Sequence, residues 1–345
     1  MNRNPAERVL VVIPCLNEEA HLQRLIADLL NDPTWSDPLI VVADGGSTDS
    51  SRAIVSALEA RDPRVKLLPN PGRLQSAGVN LAARVHGEGR RWLIRCDAHA
   101  AYPAGYVSAL LDEAWRTHAD AVAVPMTTLG RTLFERAAAA AQNSFLGTGG
   151  SAHRVGAPAH WVDHGHHALI DLHRFIAVGG YDESFSHNED AEFDVRFRRA
   201  GGKIWLTDTI AITYHPRGDA RGLARQYWMY GRGRARNLIK HRERPRLRQL
   251  APLAVAPACI AAILSPALGA AFALPAEAWA LACLAGGIRI AAREHNPVGL
   301  LAAPVAMLSH LAWSAGFWRQ ALATAFSWIA GQIRTPASGR EAVRP

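Results

Sequence analysis

Leu39-Ile40-Val41-Val42-Ala43-Asp44-Gly45-Gly46-Ser47-Thr48-Asp49 is an apolar, β-branched run that ends on an acid and then on turn residues. A run this short, bounded by Gly and Ser, reads as a buried strand rather than a helix. Two further runs share its form. Val9-Leu10-Val11-Val12-Ile13 leads into Pro14-Cys15-Leu16-Asn17-Glu18-Glu19, and Trp92-Leu93-Ile94-Arg95-Cys96 leads into Asp97-Ala98-His99. Helix-like stretches separate the three, so they read as parallel strands of an α/β sheet. Ligands of such sheets sit beyond the carboxyl ends of the strands, where these acids stand. The pattern points to a nucleotide and a metal ion, and so to an enzyme. No GxGxxG follows the first run and no GxxxxGK[ST] occurs, which argues against a dinucleotide oxidoreductase and a P-loop NTPase.

Residues 8 to about 125 alternate strand and helix. Glu18 to Leu30 reads as an amphipathic helix with Leu22, Leu25, Ile26 and Leu29 on one face. Ser47-Thr48-Asp49 reads as the cap of a second helix carrying Ile54, Val55 and Leu58. Gly78 to Val85 and Tyr106 to Trp115 read as two more, and Val122 to Val124 as a strand. The alanine run Ala137 to Ala141 sits on a helix, and Gly147 to Ser151 reads as a flexible loop. Glu189 to Ala200 is the clearest helix: acids crowd its first turn and Arg196, Arg198 and Arg199 its last. Phe193, Phe197 and Ala200 are expected to face the core, and Gly201-Gly202 ends it. Ile204 to Leu206 and Ile210 to Tyr214 read as strands.

Asp44 ends the second run, where a carboxylate can accept a uracil N–H or a ribose hydroxyl; an Asp-Gly turn is the plainer alternative. Asp49 reads as a helix cap. Asp97 and His99 offer an oxygen and an imidazole two residues apart, able to share one divalent ion; the histidine tilts the choice from magnesium toward manganese. Such an ion would neutralise a departing diphosphate. His187-Asn188-Glu189-Asp190 opens the clearest helix. A carboxylate there is stabilised as the anion, and a base facing the sheet edge could deprotonate a sugar hydroxyl, which favours Asp190. His160, His164, His166 and His167 suggest zinc but lack a regular pair with a partner pair elsewhere.

The chain has 345 residues and a net charge of +8. Much of that charge is local, since Arg221, Arg225, Arg232, Arg234, Arg236, Lys240, Arg242, Arg244, Arg246 and Arg248 crowd the stretch before Leu250. From Leu250 to Ala273 there is no charge at all, a length able to cross a bilayer core. Ala278 to Ile288 and Val298 to Trp318 are further apolar stretches. Basic residues beside apolar spans suit positive-inside topology and anionic headgroups, and their position favours a membrane over nucleic acid. Pro252, Pro257 and Pro266 would break a soluble helix, but packed membrane helices tolerate them. The start of the chain does not read as a signal peptide. Cys15, Cys96, Cys259 and Cys283 form no CxxC pair, as expected of a reducing compartment. The catalytic part is therefore expected in the cytoplasm, at the inner membrane.

Taken in order, Pro14-Cys15-Leu16-Asn17-Glu18, Asp44-Gly45-Gly46-Ser47-Thr48-Asp49, Asp97-Ala98-His99, Gly179-Gly180-Tyr181-Asp182-Glu183, Asn188-Glu189-Asp190 and Gln226-Tyr227-Trp228 resemble family 2 glycosyltransferases of the GT-A fold. Within that family the chain resembles membrane-bound glucosyltransferases of succinoglycan-type exopolysaccharide synthesis, and His310-Leu311-Ala312-Trp313 with Gly316-Phe317 match that subgroup. The resemblance implies an α/β, Rossmann-like nucleotide-sugar domain with a mostly parallel sheet over 1–215. The resemblance covers roughly residues 8 to 240; charge and hydropathy add a basic juxtamembrane segment over 216–249, two or three transmembrane helices over 250–333 and a disordered tail over 334–345. It implies inverting transfer of a single sugar from a UDP-sugar, by preference UDP-glucose, to a polyprenyl-diphosphate-linked saccharide. A simple lipid acceptor and a non-catalytic scaffold are the alternatives.

Carried over by motif, Pro14, Asn17, Glu18 and Asp44 would line the nucleotide pocket, with Arg73 and Asn80 near the diphosphate. Asp97 and His99 would hold Mn2+ or Mg2+, and Asp190, next to Glu189, would be the base. The family's metal motif ends in a second Asp where this chain has His99. The Gln-x-x-Arg-Trp motif of processive synthases survives only as Gln226, which implies single-sugar addition; Arg232 or Arg234 could replace its missing charge.

Overall fold

The computed structural model describes residues 8–33, 38–151, 154 and 157–334. Apart from Arg334, the expected tail over 334–345 lies outside the described residues. From the N-terminus come β1 (Val9–Cys15), α1 (Leu22–Leu30), β2 (Leu39–Asp44), α2 (Ser51–Glu59), β3 (Val65–Pro69), α3 (Gln75–His86), β4 (Trp92–Arg95), α4 (Tyr106–Thr117) and β5 (Ala121–Val124). The chain continues through β6 (Met126–Thr128), α5 (Leu133–Gln142), α6 (Phe145–Thr148), β7 (His160–Val162), β8 (His166–Asp171), α7 (Leu172–Ala177), α8 (Glu189–Arg199), β9 (Ile204–Leu206) and β10 (Ile212–Tyr214). Long helices complete it: α9 (Ala220–His241), α10 (Leu247–Leu268), α11 (Leu274–Glu294) and α12 (Val298–Arg334).

The main sheet has the order β3-β2-β1-β4-β8-β5-β9-β7. Strands β3, β2, β1 and β4 run parallel, as do β5 and β9. β8 runs antiparallel between β4 and β5, and β7 is antiparallel to β9. This is a GT-A-like sheet, mostly parallel. The apolar runs are buried on both faces, and alternate residues feed two cores. Val9, Val11 and Ile13 pack with α1 and α4, while Leu10 and Val12 pack with Val79, Phe175 and Phe193. Register then fixes the rim: Cys15 lies opposite Asp44 and Val12 opposite Arg95, so the chain leaves each of these strands toward one edge.

Local differences from the sequence reading have local causes. The helix expected from Glu18 starts at Leu22, because Glu19 turns back to accept from the Ser50 N–H at 2.8 Å. Gly147 and Thr148 belong to the short helix α6 rather than a flexible loop, closed by a Thr148 hydroxyl donating to the Ser144 carbonyl at 2.8 Å. Asp49, expected as the cap of α2, stands one residue before the N-cap Ser50 and accepts from the Ser51 N–H at 3.0 Å. On α8, Phe193 and Phe197 are fully buried, whereas Ala200, the expected third core residue, is exposed at the helix end.

Three C-terminal helices, Gln249–Leu268, Ala270–Glu294 and Val298–Trp328, are long and apolar enough to cross a membrane. α10 stays helical through Pro252, Pro257 and Pro266. Pro257 has no N–H for the Leu253 carbonyl four residues earlier. The Ser314 hydroxyl at 3.0 Å and the Trp318 indole at 2.9 Å, both on α12, donate to that carbonyl instead. This is how neighbouring helices make a membrane proline tolerable. α12 also packs along α9, where Leu238 and Ala235 meet Phe317 and Ala321. The contact is backbone-close: a Cβ on Gly316 would lie 2.2 Å from the Trp228 carbonyl oxygen, and one on Gly231 1.9 Å from that of Trp313. Only glycine allows helices to meet so closely.

Candidate active site

Arg95 ends β4 as a cation inside a buried strand, and the site is organised around it. Its guanidinium donates to Gln75 at 3.0 Å, to Asp97 at 3.3 Å and to Glu189 at 3.2 Å. It thereby joins the end of β4, the start of α3 and the start of α8. Burial works against its charge, but Asp97 and Glu189 raise its pKa well above the ordinary value. Burial also pushes the Asp97 carboxyl up, yet Arg95, His166 and His99 hold it below the usual range. For Glu189 burial prevails over Arg95, with Asp190 adding to the upward shift. The Tyr102 hydroxyl fixes the Asp97 backbone, accepting from its N–H at 2.6 Å.

Asp190 stands next to Glu189 on the first turn of α8, half-buried. Asn188 before it holds a left-handed φ of 62°, a conformation that asparagine tolerates and that turns the chain sharply into the helix. α9 presses on this turn at Gly233, where a Cβ would fall 2.7 Å from the His187 carbonyl oxygen. α9 is latched there by charge. Glu192, fully buried on α8, is paired with Arg196 at 2.6 Å, Lys240 at 2.5 Å and His241 at 3.0 Å. The latch brings Gln226 and Tyr230 to the site, and Gln226 donates to Tyr214 at 2.9 Å and Tyr230 at 3.1 Å.

Asp97, His99, Glu189, Asp190 and Gln226 line one cavity of about 1800 Å³. The cavity runs on from these residues to Val255 of α10, Trp279 of α11 and Trp313 of α12. Asp44 is not on its wall. It stands at the end of β2, where it accepts from the Gly46 N–H at 3.2 Å and the Ser47 N–H at 3.1 Å and lies 3.6 Å from Arg52. Asn17 accepts from the Thr48 N–H at 2.8 Å and Pro14 pairs with Ala43, so the loops after β1 and β2 are zipped together. Arg73 lies over Gly46. Glu18 links this neighbouring group to the cavity through a 3.0 Å hydrogen bond with His99 Nδ1, which raises the His99 pKa against the effect of burial.

Asn80 and Arg232, like Asp44, are not on the cavity wall. Asn80 does not face the cavity, because its amide is consumed in holding the 180–183 turn: it accepts from the Tyr181 N–H at 2.9 Å and donates to the Tyr181 carbonyl at 2.8 Å and Glu183 at 2.9 Å. Arg232 is exposed and reaches Gln320 on α12 at 3.5 Å; of the arginine pair it is Arg234 that lines the cavity. Nor do the histidines gather. His160 bonds the Pro158 carbonyl, His164 bonds Asp194, and His166 lines the cavity, driven by burial to a pKa of about 4; the side chain of His167 lies outside the described set. Arg95 was overlooked in the sequence, although a charge closing an otherwise apolar strand was the available signal. Tyr214 and Arg154, also on the wall, carry no such signal.

The donor set can be tested against a divalent ion. His99 uses Nδ1 on Glu18, leaving Nε2, and Asp97 supplies one carboxylate. No group of three or more His, Cys, Asp or Glu is placed to hold a metal among the described residues. One carboxylate and one imidazole fit an ion that completes its shell with substrate phosphate oxygens rather than a protein cage.

The family model for glycosyl transferase family 2 matches residues 10–165. The succinoglycan biosynthesis protein ExoA of Rhizobium meliloti (strain 1021) is 52% identical over 313 residues, covering 91% of this chain and 94% of that protein. Among solved structures, the mannosyltransferase PcManGT from Pyrobaculum calidifontis, in complex with GDP-Man and Mn2+, matches with a TM-score of 0.56. That match covers 92% of this chain and 88% of the other at 17% identity, a likeness of fold.

Proposed function

The chain belongs to glycosyl transferase family 2 as a glycosyltransferase of the succinoglycan type, and on that premise we propose that it adds one sugar from a UDP-sugar to a lipid-diphosphate-linked saccharide at the membrane face. The observation that carries this reading is the shared cavity, which has Asp97 and Asp190 at one end and apolar C-terminal helices at the other. An acceptor with a saccharide head and a lipid tail matches both ends.

In the proposed reaction the acceptor hydroxyl gives its proton to the Asp190 carboxylate. Its oxygen attacks the anomeric carbon from the face opposite the diphosphate, the bond from that carbon to the diphosphate oxygen breaks, and UDP leaves with the electron pair. One displacement inverts the anomeric centre. Asp97 and His99 would hold a divalent ion, manganese or magnesium, whose charge offsets that of the departing diphosphate. Arg95 keeps Asp97 ionised and positions Glu189, so Glu189 supports Asp190 rather than acting as a second base. Pro14, Asn17, Glu18, Asp44 and Arg73 would receive the nucleotide at the ends of β1 and β2. Gln226 and Arg234 offer polar contacts from α9. The lack of the Arg and Trp that follow in processive synthases supports single addition. UDP-glucose is the donor this reading favours, on likeness to the succinoglycan subgroup. The basic α9 and the apolar helices favour an inner-membrane enzyme with its catalytic domain in the cytoplasm.

The test is Asp190→Asn in purified, detergent-solubilised protein. We expect transfer to fall by at least about a thousandfold, as for loss of an essential proton acceptor, with UDP-sugar binding retained by calorimetry. Transfer at the parent rate would remove Asp190 as the base.

A further inference from the structure

The cavity as a whole is larger than a nucleotide sugar needs. Drug-sized ligand pockets span roughly 300–1,000 Å³, whereas this cavity holds about 1800 Å³. Arg289 and Arg293, one turn apart on α11, line it together with the neighbouring Glu294, as does Arg225 on α9. Arg289 and Arg293 are exposed and stand in the last two turns of α11, at the end of a segment, Ala270–Glu294, apolar enough to cross a membrane. Arginines near the end of such a segment reach the membrane interface, where phosphate groups lie. Among the described residues none of these three arginines has an ion-pair or hydrogen-bond partner, in contrast to Arg95, Arg196 and Lys240. Between them the wall is apolar: Ile290 is buried with Leu223 and Ala302, and Trp279 and Trp313 stand further along.

Cations above an apolar corridor recognise a molecule with an anionic head and a hydrocarbon tail. Arginine pairs with phosphate through two parallel N–H donors, which favours a diphosphate over a single-point anion. We propose that Arg289 and Arg293, assisted by Arg225, bind the diphosphate of the lipid-linked acceptor, with its hydrocarbon chain leaving between α10 and α11. The saccharide then extends toward Asp190. This assignment rests on the lipid-linked acceptor proposed above and names the residues that hold it.

The test compares the wild type with Arg289→Gln/Arg293→Gln, using farnesyl diphosphate, which carries no sugar, as a competitor of transfer. We expect its inhibition constant and the acceptor KM to rise at least tenfold in the double variant, with the donor KM within twofold of the parent value. Arg289→Lys/Arg293→Lys should recover part of the loss, which a misfolded protein would not. An unchanged farnesyl diphosphate inhibition constant would overturn the assignment. If the arginines meet only bilayer headgroups, binding to phosphatidylglycerol vesicles will fall while inhibition by farnesyl diphosphate stays as in the parent, and that too overturns it. Failure of the broader reading is distinct: wild-type protein would transfer nothing to the lipid-linked acceptor, yet direct binding of farnesyl diphosphate would still depend on the two arginines.

Discussion

Arg95 shows how one side chain can carry a site. It is buried, and its donors hold the carboxylates of Asp97 and Glu189 together with the Gln75 amide. Removing one partner of such a group leaves the others buried and uncompensated, which costs about 3–5 kcal/mol. We therefore expect Arg95→Met to lower the unfolding free energy by that amount, seen as a lower thermal midpoint, and to abolish transfer, both measured on detergent-solubilised protein. An unshifted midpoint would mean that the two carboxylates find other partners. At this scale the acids that follow apolar runs were legible, because a strand end is a local signal. The bonds of the Asn80 amide to Tyr181 and Glu183, about a hundred positions away in sequence, are announced by no local pattern. Arg232 and Arg234 differ by two positions on a helix, which turns them to different faces; only the packing of α9 on α12 decides which meets the cavity.

Among the elements, β1, β2, β4, β5, β9 and β10 were legible as continuous apolar runs, whereas β3, β6, β7 and β8, which lack such a run, were not read. Helix α6 was lost because three glycines, Gly147, Gly149 and Gly150, hid a single turn held by side-chain hydrogen bonds. The largest omission was α9. Its arginines mark a basic stretch, but nothing in its composition says that it is one continuous helix wedged between α12 and the turn before α8. α10 illustrates the converse, a helix that its own sequence argues against. Its Leu253 carbonyl is served by Ser314 and Trp318 of α12 in place of the donor that Pro257 lacks. Removing both donors by Ser314→Ala/Trp318→Phe leaves a buried carbonyl unpaired, at about 1–3 kcal/mol. We expect a correspondingly lower unfolding midpoint. Restoring a backbone donor with Pro257→Ala should rescue the double variant; equal loss with and without Pro257→Ala would contradict this origin of α10's stability.

Over the whole molecule, the residues after β4 and at the start of α8 share one cavity with a set of apolar helices, and that sharing gives the chain its proposed task. Those residues alone would suit any soluble acceptor. The helices alone would be an anchor. Asp190 at one end of the space and Trp279 and Trp313 at the other imply an acceptor that is itself amphipathic. The net charge of +8 is concentrated ahead of α10, where it can meet anionic headgroups and hold the cavity mouth at the bilayer surface.

The most direct test follows the sugar. Membranes containing the protein, supplied with radiolabelled UDP-glucose and Mn2+, are extracted with organic solvent and the lipid-linked saccharides are sized. The expected result is label in a lipid-linked saccharide longer by one sugar, absent from membranes carrying Asp190→Asn. Label released only as free sugar, or a ladder of many additions, would contradict single transfer to a lipid-borne acceptor.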